Sequence, residues 1–416
     1  MKSINIIGGN TLCGEVSIQG SKNAALPLLA ATVLIKGVSV IHNCPRITDI
    51  FHMIKILESI GCKVLFTGNC LKVDATDITN TALPEEYAKL MRSSFIFAGA
   101  LLARKKEVSI HYPGGCVIGK RPIDIHLDAF SKMGAQFVEK NETIYANAKK
   151  LTGEEILLSF PSVGATQNIV MASVLAEGNT IIRGAAKEPE VTELCSFLVK
   201  AGAKIQGIGT EILKIEGVPC LQEVEYKVVP DRIVAGTYLL AAVATKGAVF
   251  LENAPVDHMN SLLLMLKNIG AKIHLEGNNI FINGEGANKS VPYLETEVYP
   301  GYPTDLQSPL MAVLSRAEGI SVIRENIFEN RFRISGQLNR MGAKIFVKDN
   351  HALIYGVEKL KGMEVTAEEL RGGAALIIAG LMAEGSTKVA GLSYIERGYE
   401  DIVRDLKCLG AKIEKG

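Results

Sequence analysis

The hydrophobic and polar positions of this chain repeat with a long period. Six times an amphipathic stretch of helical spacing runs into a glycine, a small residue, a polar residue and an apolar one. The six copies read ILESIGCKV, FSKMGAQF, LVKAGAKI, LKNIGAKI, LNRMGAKI and LKCLGAKI, with glycines at Gly61, Gly134, Gly202, Gly270, Gly342 and Gly410. They are spaced by 73, 68, 68, 72 and 68 residues. A second landmark precedes each: a run rich in Ala and Leu nearly all round, then a turn, then a β-rich stretch, as in IVMASVLAEGNTII. The turns fall at Gly37, Glu107, Gly178, Gly247, Gly319 and Gly385, and a glycine there suits a helix C′ position. Each unit of about 70 residues therefore predicts a buried helix, a strand, an outer amphipathic helix and further strand.

From turn to landmark glycine the distance is 23 to 25 residues in five copies and 27 in the second. The excess falls in HYPGGCVIGKRP, residues 111–122, where Cys116 lies among glycines and just before Lys120 and Arg121. An insertion in one repeat is usually a loop on the binding face.

Counting back from each turn reaches the start of each buried helix. Lys22, Arg92 and Arg232 lie 15 residues before their turns, and Gly164, Asp305 and Arg371 lie 14 before theirs. Helix starts expose unpaired N–H groups and partial positive charge, so cations belong there only beside an anion. Taken singly, Ser21, Thr304 and Asp305 read as caps and the cations as solvated. As a set in related units, the positions predict anion binding. Arg121 and Arg397, each 13 before a landmark glycine, and Arg331, 11 before, extend the pattern.

Composition changes the picture only by exclusion. The chain has 416 residues, 48% hydrophobic and 21% charged, and a net charge of +1. That is a globular balance without the basic excess of a nucleic-acid or anionic-membrane binder. Apolar runs such as Tyr238 to Ala244 are far short of a membrane span. No signal-peptide pattern is evident, and the eight cysteines form no Cys-x-x-Cys pair, which reads as reduced thiols in a cytoplasm. No metal-ligand cluster, Walker loop or dinucleotide fingerprint is present, so neither metal nor cofactor is expected.

The motifs GSKNAALP, PGGCVIGKRPIDIH, PSVGAT, PDRI, TDLQ, ENRF, LRGGAAL and IERGY run the whole chain in order. In them the chain resembles the enolpyruvyl transferase family, and within it the branch acting on UDP-N-acetylglucosamine rather than shikimate 3-phosphate, which lacks the cysteine loop. The resemblance implies an inside-out α/β barrel in two lobes of three βαβαββ-like units each. Residues 21–230 would form one lobe, residues 1–20 and 231–416 the other, with the site in the cleft between them. It implies transfer of the enolpyruvyl group of phosphoenolpyruvate to the sugar 3-hydroxyl with release of phosphate, the first committed step of peptidoglycan precursor synthesis.

By resemblance, Cys116 is the proton donor and the target of fosfomycin, and Asp305 the base. Lys22, Arg92, Arg121 and Arg397 hold phosphate and charged intermediates, while Arg331 and Arg371 lie near the carboxylate. Lys22 and Arg397 are counted with Cys116 and Asp305 as catalytic. Asn23, Arg92, Arg121, Pro122, Ile123, Asp124, Ile125, His126, Ser162, Val163, Gly164, Asp305 and Ile327 match positions contacting the nucleotide sugar. Two residues depart from the family pattern: Glu369 replaces the usual Asp, and Phe160 stands where some members carry a lysine. A catalytically silent nucleotide-sugar binder and a purely structural scaffold are the alternatives. Intact Cys116, Asp305, Lys22 and Arg397 argue against the first, and the charge pattern against the second.

Overall fold

The Ala- and Leu-rich runs form helices buried on nearly every side, because no polar face is available to turn outward. They are Lys22–Ala31, Phe97–Lys105, Val163–Ser173, Arg232–Ala244, Gln307–Leu314 and Leu370–Met382. The computed structural model describes residues 2–112, 118, 119 and 123–416. The chain divides into two units. One comprises Pro230–Gly416, the stretch through Gln19, and Ile118 with Gly119; the other runs from Gly20 to Val229 without that piece. Each unit has its own apolar core, built around three of the buried helices.

The strands close around those helices in three small sheets per unit. In the first copy, Val38–His42 follows the buried helix and takes the centre of its sheet. It pairs antiparallel with Cys70–Asp74, which pairs in turn with Lys63–Thr67. A parallel strand flanks its other side. Among the described residues five sheets have four strands and the second copy's has three, with the Ala82–Ser109 bridge where the parallel strand stands elsewhere. Apolar alternation faces the helices and polar positions face outward, as in Ile212–Glu216, where Leu213 and Ile215 are buried. This is helix inside and sheet outside, the expected inside-out arrangement.

Strand exchange explains the division of the chain. The parallel strand before the first buried helix, Cys13–Ser17, pairs with Ala248–Glu252 of the fourth copy. The one before the fourth, Val224–Lys227, pairs with Val38–His42 of the first. Ser3–Ile7 lies between Ser386–Ala390 and Lys412–Lys415, completing the sixth copy's sheet. The N-terminal segment thus fills one place in each of two sheets of the unit built from Pro230–Gly416.

All six landmark glycines have φ between 84° and 107°, a left-handed turn that any side chain would strain. The turn glycines depart from expectation. Gly178, Gly319 and Gly385 have positive φ but lie beyond the helix end, each directly after a residue that makes a parallel bridge. In the second and fourth copies Lys106 and Lys246 take the left-handed position instead. Gly247 is required by crowding: a Cβ there would lie 2.3 Å from the Leu12 carbonyl oxygen.

Candidate functional site

The expected charged residues do sit at helix starts, some through a 3-10 turn. Lys22, Arg232 and Arg371 lie in the first turns of their helices. Arg92 opens the 3-10 turn Arg92–Ile96, and Asp305 lies within Thr304–Leu306 ahead of Gln307–Leu314. The anions that balance several of them come from the chain itself.

In the Gly20–Val229 unit, Lys22 is buried at the first position of its helix, behind the Ser21 cap. Its Nζ lies 2.7 Å from Asp49 Oδ2, a carboxylate only 1% exposed on the outer helix Thr48–Ser59. Asn23 and Arg92 are half-buried. Ser162 caps Val163–Ser173, its Oγ accepting the Ala165 N–H, so Val163 and Gly164 form that helix's first turn. His126 is buried against it, on the helix Asp124–Lys132 that also carries Ile125, with Ile123 just before.

In the unit of Pro230–Gly416, two guanidinium groups converge on one carboxylate. Arg331 Nη2 donates to Asp305 Oδ1 at 2.6 Å, and Arg371 Nη2 donates to Oδ2 at 2.9 Å. Both arginines are almost wholly buried, whereas the Asp305 side chain keeps a quarter of its surface open. Burial alone would raise the Asp305 carboxyl, but the charges of Arg371 and Arg331 outweigh it and hold it well below the usual carboxylate range. Burial likewise works against the Arg371 charge, and Asp305 more than restores it. Arg371 Nη1 is buried without a hydrogen-bond partner among the described residues. Asp305 is therefore ionised but twice paired, which weakens it as a base.

Glu369 turns back on its own helix. Its carboxylate accepts the Arg371 N–H at 2.7 Å and the Gly372 N–H, and lies 3.9 Å from Arg331 Nη1. Glu325, buried, accepts from the Thr304 hydroxyl with both oxygens at 3.0 Å and from the Ile327 and Phe328 N–H groups at 2.9 and 3.0 Å. It ties the Ile327 loop to the Asp305 turn. Arg397 lies in the turn after Leu392–Ile395, not on a helix as its spacing suggested, and is half-buried.

Cys116, Arg121 and Pro122 lie outside the described residues. Sequence reasoning missed Asp49, Glu325 and Asn168, the buried partner of His126. Asp49 and Glu325 had no periodic signal. Asn168 had one, a Gln-Asn pair in the middle of a run otherwise read as a buried helix. No group of three or more His, Cys, Asp or Glu suited to a metal ion occurs among the described residues, and none of their helices is long and apolar enough to cross a membrane.

Kinship agrees with this layout. The family described as EPSP synthase (3-phosphoshikimate 1-carboxyvinyltransferase) matches residues 6–406. UDP-N-acetylglucosamine 1-carboxyvinyltransferase 2 of Caldanaerobacter subterraneus subsp. tengcongensis is 49% identical over 413 residues, covering 99% of both chains. The UDP-N-acetylglucosamine 1-carboxyvinyltransferase of Halothermothrix orenii is 44% identical, covering 99% of this chain and 98% of its own. Among solved structures, the enolpyruvyl transferase NikO from Streptomyces tendae superposes with a TM-score of 0.89 at 24% identity, covering 100% of this chain and 98% of NikO. EPSP synthase from Acinetobacter baumannii superposes at 0.75 and 18% identity, with all of both chains covered. Those two likenesses speak to the fold, and the full-length sequence kinship to descent: the chain belongs to the enolpyruvyl transferase family.

Proposed function

We propose that this protein transfers the enolpyruvyl group of phosphoenolpyruvate to the 3-hydroxyl of UDP-N-acetylglucosamine and releases phosphate. The observation that carries this is the 49% identity, over 99% of both chains, to a relative named for that activity. The family description that matches names 3-phosphoshikimate instead, so shikimate 3-phosphate belongs in the assay as a competing acceptor.

The chemistry runs by addition and elimination. Cys116 gives a proton to carbon 3 of phosphoenolpyruvate, and the sugar oxygen bonds to carbon 2. Asp305 takes the hydroxyl proton. The tetrahedral adduct then returns a proton from carbon 3 to the Cys116 thiolate and expels phosphate. Lys22, Arg92, Arg121 and Arg397 hold the phosphate, while Arg331 and Arg371 serve the substrate carboxylate. A closed loop excludes the water that would quench a cationic intermediate.

Asp305 needs a release step. Held by two arginines it is a poor base. A substrate anion arriving beside the partly exposed Asp305 adds like charge and competes for the two guanidinium groups, which returns basicity to Asp305 as the hydroxyl arrives. His126, Ser162, Val163 and Gly164 take the nucleotide-sugar side, together with Asn23, Ile123, Asp124, Ile125 and Ile327.

The reaction is assigned to the cytoplasm, in keeping with cysteines that form no Cys-x-x-Cys pair. The Cys116 thiolate would open the fosfomycin epoxide to form a thioether. The test is phosphate release with phosphoenolpyruvate and either acceptor, with and without fosfomycin. Fosfomycin-sensitive turnover with UDP-N-acetylglucosamine alone is the expected result. Turnover with shikimate 3-phosphate, or binding of the nucleotide sugar without turnover, refutes the reading.

A further inference from the structure

Asn168 is fully buried in the middle of Val163–Ser173, between Gln167 and Ile169. A buried amide must settle two donors and an acceptor without water. Its Oδ1 accepts the Gly99 N–H at 2.8 Å. Its Nδ2 donates to the Phe95 carbonyl at 3.1 Å and lies 2.9 Å from His126 Nδ1. An amide can be turned end for end only where its partners tolerate either atom. A backbone N–H cannot accept and a carbonyl cannot donate, so Gly99 and Phe95 fix its direction. One Asn168 hydrogen serves Phe95, and the other faces His126 Nδ1. That ring nitrogen must offer a lone pair, which puts the imidazole hydrogen on Nε2.

The surroundings make the arrangement rigid. Phe95 and Gly99 are four residues apart, the spacing of one helical hydrogen bond, but the α-helix begins only at Phe97. The Asn168 amide stands in place of that bond. A Cβ at Gly99 would lie 2.2 Å from the Asn168 carbonyl oxygen, so the two helices are nearly in backbone contact. Phe95 presses edge-on against the His126 ring, with centroids 5.2 Å apart. The far side of that ring faces the first turn of Val163–Ser173: a Cβ at Gly164 would lie 3.3 Å from Cε1 and 3.6 Å from Nε2.

We propose that Asn168 is a positioning residue for nucleotide-sugar binding. It locks His126 in the Nε2–H tautomer, so that the ring adds a donor beside the unpaired N–H groups of a helix start, a combination that favours the oxygens of a diphosphate. The opposite tautomer would turn a lone pair on those oxygens. The inference rests on the reading above that His126 and Ser162–Gly164 meet the nucleotide sugar.

The tautomer can be read without turnover. Long-range ¹H–¹⁵N correlation of the histidine rings in the free, ¹⁵N-labelled protein should show His126 with a protonated Nε2 and an unprotonated Nδ1. Asn168→Asp places an acceptor against Nδ1 and should draw hydrogen onto it. Asn168→Ala removes the amide from Phe95, Gly99 and His126 together and so releases the ring. Both variants should raise KM for UDP-N-acetylglucosamine roughly tenfold or more, with KM for phosphoenolpyruvate moved less than about twofold. An Nδ1–H ring in the unaltered protein overturns the proposal. So does a folded Asn168→Ala protein whose KM for the nucleotide sugar is unchanged. Absence of turnover by the unaltered protein would refute the proposed function while leaving the tautomer result standing.

Discussion

Asp305→Asn separates the structural from the chemical role of the paired carboxylate. The substitution keeps one acceptor oxygen and removes the charge facing Arg331 and Arg371. Removing one partner of a buried ion pair costs about 3–5 kcal/mol. A quarter of the Asp305 side chain is exposed, and the amide oxygen still accepts one hydrogen bond, so the expected loss is nearer ~2 kcal/mol. The acid dependence gives the sign. The folded-state pKa of Asp305 is lowered, so its stabilising contribution is complete above the unfolded value of about 3.9 and drains away as pH falls below it. The stability gap between the two proteins should therefore be constant from neutral pH to about 5 and shrink below about 4, by at most ~1.4 kcal/mol per pH unit. Urea unfolding at several pH values measures this. The freed arginines should also make phosphate or phosphoenolpyruvate raise the variant's midpoint more than the unaltered protein's. If Asp305 is the base, turnover falls about 10²- to 10⁴-fold while the fold persists. A variant of equal stability at pH 7, with turnover within a few-fold, would refute both the pairing and the base assignment.

Alkylation of Cys116 should quicken as pH rises, because the thiolate is the nucleophile, and should change when nucleotide sugar is bound; mass spectrometry of the labelled thiol follows it, and indifference to both would count against the loop assignment. Cys116→Asp keeps an acid at that place and should resist fosfomycin while retaining phosphate release. Gly99→Ala drives a methyl into the Asn168 carbonyl and should cost about 2–3 kcal/mol in urea unfolding. Glu325→Gln leaves one of its partner hydrogens or hydroxyls without an acceptor, costing about 1–3 kcal/mol; through the Ile327 loop it should raise KM for the nucleotide sugar, and an unchanged KM argues that the loop is held by other contacts.

The repeat was legible because it is local. A left-handed turn demands glycine wherever it recurs, so Gly61, Gly134, Gly202, Gly270, Gly342 and Gly410 announce six units before any coordinates are known. Burial on all sides demands apolar residues all round, so the inner helices also stand out. The charges at their starts were equally plain, since counting along a repeat needs no tertiary knowledge. What could not be read was which groups face each other. That Asp49 answers Lys22 and that Asp305 is held by two arginines depend on approaches between segments far apart in sequence. The exchanged strands Cys13–Ser17 and Val224–Lys227 are equally silent, because a short alternating strand reads the same beside any partner. Periodicity records the environment a residue needs, inside or outside, helix or strand. It carries no label for the neighbour that supplies that environment, and a buried charge or amide is defined by its neighbour alone.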